Sequence, residues 1–382
     1  MLRYLTAGES HGPALTTIVE GAPAHLPFTI DGLGEELKRR RSGHGRGNRM
    51  KIEKDVVEIV GGVRHGETLG SPVAVLIRNT EWSRWSEDMS AEPGEPQRTL
   101  TAPRPGHADL SGMLKYNTYD ARDILERSSA RETAARTVAG YVAKQLLGTI
   151  GVSVLSHVIQ IGSVEAQTER VPSPRDLSAV DGNPVRCFDQ AASEAMVQEI
   201  DKAKRDRDTL GGVVEVLVYG LPAGVGSHVH FDRKLDARLA EAMMSIQSVK
   251  AVEVGDGTQT AKRRGSSAHD EIYYNDGFER KTDRAGGTEG GMTTGQPLRV
   301  RAYLKPISTL MRALDTVDVR TKEPEAALRE RSDVCAVPAG GVVAEQVVAV
   351  AVAQELQRML GGDTVEDFQA SMERYVQRIE QY

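Results

Sequence analysis

The chain has 382 residues, enough to bury a large core in one large domain or in several ordinary ones. With 48 basic against 54 acidic residues, a net charge of −6 and only 4 % aromatics, it is not built to coat nucleic acid or an anionic membrane. The two cysteines, Cys187 and Cys335, stand far apart with no metal-ligand spacing, which argues against a disulfide scaffold and suits a reducing compartment.

The opening MLRYLTAGESHGPALTTI lacks a charged-then-apolar signal pattern, and no later apolar run reaches the roughly 18 residues of a spanning segment. A soluble, cytoplasmic protein is therefore expected. An N-terminal strand runs into GESHG (8–12), and a helix is predicted at 31–41 and a strand at 55–63. A glycine-rich turn then leads into the strand PVAVLIRN (72–79). The polar stretch 79–109 is too long for an ordinary connection and carries both tryptophans, so it reads as a functional loop or lid. ERSSARETAARTVAGYVAKQLL (126–147) becomes a helix with Ala135, Val138, Val142 and Leu146 as its apolar stripe. Ser129, three residues before Glu132, has the spacing of a capping box. A strand (152–162), a surface loop (164–185), a helix (193–206), a strand (211–220) and a helix (235–246) follow. After the strand PLRVRAYL (297–304), a long helix is apolar all round from Val347 to Ala353 and should be buried; a last helix covers 364–379.

Two segments of this series repeat. GGVRHGETLGSPVAV (61–75) and GGTEGGMTTGQPLRV (286–300) share the template G-G-x3-G-x3-G-x-P-x2-V, and in each half an Glu-Arg-Ser run precedes a long helix. The expectation is a single, internally duplicated domain over 1–382, with halves at roughly 1–160 and 210–362 and a C-terminal helix at 363–382.

The chemistry-bearing clusters are short. RRRSGHGRGNRM (39–50) holds five arginines and no acid; a solvated basic loop is the plain reading, an anion clamp the functional one. GESHG puts Ser10 and His11 between glycines, either as a tight turn or for close approach to a ligand. RPGHAD (104–109) presents His107 between Arg104 and Asp109. Ser129 is either a plain N-cap or part of an anion site at a helix N-terminus flanked by Arg122, Arg127, Arg131 and Arg136. HVHFD (228–232) would set His228, His230 and Asp232 on one strand face, but no second ligand cluster accompanies it, so no metal is expected. The sequence has no P-loop, no strand-borne G-x-G-x-x-G and no G-x-S-x-G.

GESHG, RRRSGHGRG, RPGHAD, ERSSARETAAR, QSVKAVEVGDG, GGTEGGMTTGQP, KPIST and ERSDVCAVPAGGVVAE occur in the order found in chorismate synthases, and the resemblance covers nearly the whole chain. It implies an α+β fold, central helices sandwiched between two antiparallel sheets with an internal pseudo-repeat, assembled as a homotetramer. It implies a trans-1,4-elimination in which 5-enolpyruvylshikimate 3-phosphate loses phosphate and its C6 hydrogen to give chorismate, with reduced FMN required and not consumed. By the same resemblance His11 would be the general acid for phosphate departure, His107 would act on the flavin ring, and Asp333 would help relay the C6 proton. Arg127, Ser128, Ser129, Gln247, Ser248, Gly290, Lys305, Pro306, Ile307, Ser308, Thr309 and Arg331 would hold the flavin. Ser10, Arg40, Arg46, Arg49, Arg104 and Arg131 would bind the substrate's anionic groups, with Arg40 and Arg46 also open to NADP. NADPH as an indirect reductant and a separate flavin reductase stay open as partners; no nucleic acid and no membrane is expected. Two other readings are a flavin-dependent oxidoreductase of an anionic substrate and a basic-loop RNA-binding protein, the latter lacking interleaved aromatics.

Overall fold

The computed structural model describes residues 1–47, 54–328 and 332–382. In the first half, strands β1 (Arg3–Ala7), β2 (Ala14–Glu20), β3 (Val56–Gly61) and β4 (Val73–Arg78) form an antiparallel sheet of order β1-β2-β4-β3. Helix α1 (Ile30–Arg41) lies between β2 and β3 in the chain, and α2 (Asp109–Tyr116), α3 (Arg122–Ser128) and α4 (Thr133–Gly148) follow β4. The second half brings β5 (Ser153–Ile161), α5 (Gln190–Arg205), β6 (Gly212–Tyr219), α6 (Leu235–Met244), β7 (Val249–Val254) and β8 (Leu298–Leu304). It closes with α7 (Val337–Leu360) and α8 (Val365–Glu380). These strands pair as β7-β8-β6-β5, the same order read from the other edge, with the two-residue strand Val164–Glu165 added beside β5.

Strand chemistry decides which faces turn inward. Along β8, Leu298, Val300 and Ala302 are buried while Arg299, Arg301 and Tyr303 alternate to the other face; β4 buries Val73, Val75 and Ile77 in the same way. The buried faces look at helices: α4 packs on β2, α7 packs on β5 and β6, and α4 and α7 pack on each other. That position explains the composition of α7. It has apolar neighbours on both sides, so every residue from Val347 to Ala353 is buried, as its sequence predicts. By length and composition α7 could cross a membrane, but 89 % of its most apolar stretch is buried in this core. Its one acid there, Glu345, is completely buried and meets Arg39 (2.8 Å), Arg186 (2.8 Å) and Lys144 (3.2 Å).

The two glycine-rich turns match atom for atom in their main contacts. Val63 and Arg64 pair with Thr68 and Glu67, as Thr288 and Glu289 pair with Thr293 and Met292. Thr68 Oγ1 donates to Pro23 O and accepts from Leu26 N; Thr293 Oγ1 donates to Pro222 O and accepts from Val225 N. Gly62 and Gly287, with φ of +83° and +77°, each leave no room for a Cβ against the carbonyl of the following proline, Pro72 or Pro297.

Several predicted elements differ in detail. The 164–185 segment is partly structured, with a helical turn at Leu177–Gly182 whose Asp181 is drawn to Arg39. Residues 228–232 form an exposed bend instead of a strand, with His230 Nδ1 2.7 Å from Asp232. The capping box is only half formed. Ser129 Oγ accepts from Arg131 N (3.3 Å) and caps a 3-10 turn, Ala130–Glu132, ahead of α4. The Glu132 carboxylate goes elsewhere, accepting from Arg136 (2.8 Å), Thr6 (2.9 Å) and Gln247 (3.2 Å), because a charged partner one turn on outcompetes a backbone amide.

Candidate active site

A cavity of about 490 Å³ opens where the N-terminal ends of α4 and α7 meet the segments that follow α1, α6 and β8. Both halves of the chain line it. Ser10, His11, Arg40, Arg46, Arg104, His107, Ser128, Ser129 and Arg131 come from the first; Gln247, Ser248, Lys305, Ile307, Ser308, Thr309 and Asp333 come from the second.

The described part of the basic run, residues 39–47, is not a solvated loop. Arg39, Arg40 and Arg41 form the last turn of α1, and Arg39 points into the core at Glu345. Arg40 and Arg46 face the cavity, with side chains only 5 % and 10 % exposed. Arg40, Arg41 and Arg131 converge on one acid, Asp55, at 3.8 Å, 3.1 Å and in direct contact. Asn79 ties this cluster to the GESHG turn: its Oδ1 accepts from Arg131 (3.0 Å), and its amide donates to Gly12 O (2.6 Å) and Glu9 O (3.2 Å). Positive charge exceeds negative here. Burial pushes the Arg40 guanidinium down to about 9, Asp55 pulling the other way and Arg131, Arg46 and Arg41 adding to the fall. Among the described residues, Arg40 Nε and Nη2 and Arg46 Nε have no hydrogen-bond partner. A buried cation with unmet donors beside a cavity calls for an anion in it.

His11 lines the same cavity. Its Nδ1 lies 2.9 Å from both Glu126 carboxylate oxygens, its backbone N donates to Glu126 Oε2 (2.9 Å), and Ser10 N donates to Glu126 O (3.0 Å). Burial of Glu126 works against its ionisation, but the hydrogen bond and charge of His11, with Arg122 2.9 Å away, hold the carboxyl below its usual range. The carboxylate thus fixes the orientation of the ring through Nδ1.

His107 has a parallel arrangement: Nδ1 is 2.5 Å from Asp109 Oδ1, and Arg104 binds the same carboxylate through Nε (2.9 Å) and its backbone N (3.1 Å). Arg104 Nη1 also donates to Thr309 Oγ1 (2.9 Å), which joins the two halves. Burial alone would raise the Asp109 carboxyl; the bonds from His107 and Arg104 outweigh it and leave it far below the carboxylate range. A depressed carboxylate stabilises the fold above its unfolded value of 3.8 and loses that contribution as pH falls towards the folded one. Asp109→Asn is accordingly expected to lower stability by roughly 1–3 kcal/mol at pH 7. The deficit should shrink below about pH 4, read from Tm against pH.

Asp333 accepts from Gly47 N (2.6 Å) and pairs with Arg46 Nη1 (2.8 Å), so the predicted proton relay and the predicted anion clamp are bonded to each other. Gln247 lines the same space, and its buried Oε1 has no hydrogen-bond partner among the described residues. Three predicted residues stand apart from the lining. Arg127 turns to β1, donating to Thr6 O (2.8 Å) and Gly8 O (3.1 Å); Gly290 sits in the second glycine-rich turn; Pro306 is passed over between Lys305 and Ile307. Arg49 and Arg331 lie outside the described residues. Glu126, Asp109, Asp55 and Asn79 are site residues that the sequence readings leave without a role.

A family model described as chorismate synthase matches residues 2–357. The chain is 59 % identical over 386 residues to the chorismate synthase of Acidothermus cellulolyticus, covering 98 % of both proteins. To that of Thermobifida fusca it is 56 % identical over 387 residues, again covering 98 % of both. A solved structure titled "Crystal Structure of Chorismate Synthase" superimposes with a TM-score of 0.80 at 39 % identity, covering 100 % of this chain and 99 % of that one.

Proposed function

The chain belongs to the chorismate synthase family and is a lyase of the shikimate pathway, and we propose that its elimination takes place in the cavity between the ends of α4 and α7. The observation that carries this reading is that one cavity is lined both by arginines with unmet donors and by the Glu126-backed imidazole of His11. 5-Enolpyruvylshikimate 3-phosphate brings a phosphate and two carboxylates. Arg40 and Arg46, with Arg104, Arg131 and Arg49, bind them, the forked guanidinium matching both kinds of group. Departure of phosphate from an allylic carbon builds negative charge on the bridging oxygen. His11 donates its proton there, Glu126 holding the imidazolium in register through Nδ1. Asp333, bonded to Arg46, receives and passes on the proton lost from C6.

The residues present suit a flavin. The buried Gln247 Oε1 is an acceptor in search of an N–H, and His107 and Lys305 bring positive or donor character to the same side. Gln247, Ser248, Ser128, Ser129, Lys305 and Ile307 to Thr309 would hold reduced FMN, with Arg127, Gly290, Pro306 and Arg331 completing the set if the bound state draws them in. When bound, reduced FMN supplies electron density to the allylic system without net redox change. His107, its ring fixed by Asp109 and Arg104, would protonate or polarise the flavin ring when it is bound. NADPH enters only as a route to reduced flavin.

With photoreduced FMN under strict anaerobiosis, product is expected to exceed reductant oxidised by a large factor. Reductant lost in step with product would favour the flavin oxidoreductase instead. The RNA-binding alternative has little to stand on, since Arg39, Arg40 and Arg46 are turned inward.

We read the fold as an internal duplication. Its support is the shared sheet order and the matching contacts of Thr68 with Thr293 and Gly62 with Gly287. The active cavity then lies at the junction of the two repeats, the N-terminal ends of α4 and α7 being counterparts. We read the protein as cytoplasmic and as a homotetramer, the latter supported by Leu5 and Ile18, paired and exposed on the outer face of the first sheet.

A further inference from the structure

We propose that Trp85 is a positioning residue for His11, an inference that rests on the reading of His11 as the general acid. The 79–109 segment wraps back over the GESHG turn, anchored by Asn79, and a 3-10 turn at Trp82–Arg84 delivers Trp85 onto the imidazole. The two ring centroids are 4.2 Å apart with planes inclined by 32°. Arg122 lies 4.7 Å from the same indole centroid and donates to Glu126 (2.9 Å), which holds His11 Nδ1. The contacts therefore close a ring: Trp85, His11, Glu126, Arg122 and back to Trp85. Arg98, 4.8 Å from the indole and paired with Asp88 (3.1 Å), fixes the tryptophan from the loop side.

This ring does what a single hydrogen bond cannot. Glu126 holds the ring at Nδ1; the large aromatic face of Trp85 against the imidazole adds a second restraint on its plane and keeps water off that face. The indole π-face also tolerates a protonated imidazole beside two arginines, where an aliphatic wall would leave three cations facing one another. The tryptophan does not line the cavity, so it acts through His11 and not on the substrate.

The test is a double-mutant cycle under the anaerobic assay. Trp85→Leu is expected to lower kcat about 10-fold with KM changed less than about 2-fold, and Trp85→Phe to recover most of the loss. In a His11→Ala background, Trp85→Leu should cost nothing more. A loss of the same size in that background, or one seen in KM, overturns the proposal in favour of loop packing. His11→Ala alone decides the general-acid reading, so the two failures are distinguishable. The chain has only two tryptophans, so in a Trp82→Phe background the emission of Trp85 reports the contact independently of turnover. That emission should change on His11→Ala, and an unchanged spectrum overturns the stacking.

Discussion

His11→Ala is expected to lower kcat by roughly 10²- to 10⁴-fold while FMN affinity stays near that of the native chain. The size follows from the reaction: without a proton donor the phosphate must leave with its full charge from a partly enclosed site. The flavin should be unaffected, because the histidine that serves it is His107, held separately by Asp109 and Arg104. The limb of the pH–rate profile on which activity falls as the imidazolium loses its proton should disappear with His11. Glu126→Gln should also lower kcat, with FMN affinity little changed. It removes the carboxylate that holds His11 Nδ1 and leaves Arg122 without its partner, so the ring is no longer fixed. Near-normal kcat in His11→Ala, with the limb intact, would remove His11 from the reaction and leave the GESHG turn a structural feature.

What could be read in the sequence divides along physical lines. Elements with a sustained period declared themselves: β4 and β8 by alternation, α4 by its stripe, α7 by an apolar surface that only burial on all sides explains. β2 stays outside the predicted strands because ALTTIVE does not alternate in sequence: Thr17 sits on the buried face and Ile18 on the outer one, while α2 and α3, at 8 and 7 residues, are too short for a helical period to show. The repeat was visible because glycines at positive φ leave a spacing that side chains cannot mimic. The order of the strands in each sheet was not, since it depends on pairings between distant segments. In the site, the histidines and arginines were legible as residue types held in short motifs. Their acidic partners were not: Glu126 reaches His11 across 115 positions and Asp55 reaches Arg131 across 76, and nothing local marks either acid as different from its neighbours. In the basic run, likewise, nothing local marks Arg39 as ending in a buried ion pair with Glu345, 306 positions on.

Arg40→Met is expected to raise KM for the substrate strongly and, in the absence of ligand, to raise Tm. The first effect reflects a forked guanidinium on a phosphate or carboxylate in an enclosed site, an interaction of about 2–4 kcal/mol, or roughly 30- to 1,000-fold in KM. The second follows from what Arg40 lacks. It is 4 % exposed, its guanidinium donates to Thr133 Oγ1 at 3.2 Å, and Nε and Nη2 have no such partner among the described residues. Its proton is held more weakly in the folded chain, at about 9, than in the unfolded one, so folding carries the full cost of that buried charge at every pH below about 9 and is relieved only above it. Methionine fills much of the same volume without the charge, and Asp55 keeps Arg131 and Arg41, so no acid is stranded. A gain of about 1–2 kcal/mol is the expected scale for removing such strain from a binding site. Inorganic phosphate should stabilise the native chain and leave Arg40→Met unmoved. If the variant melts lower than the native protein and binds substrate as well, Arg40 is a structural cation completed by Asp55, and the anion site must be sought among Arg46, Arg104 and Arg131 alone.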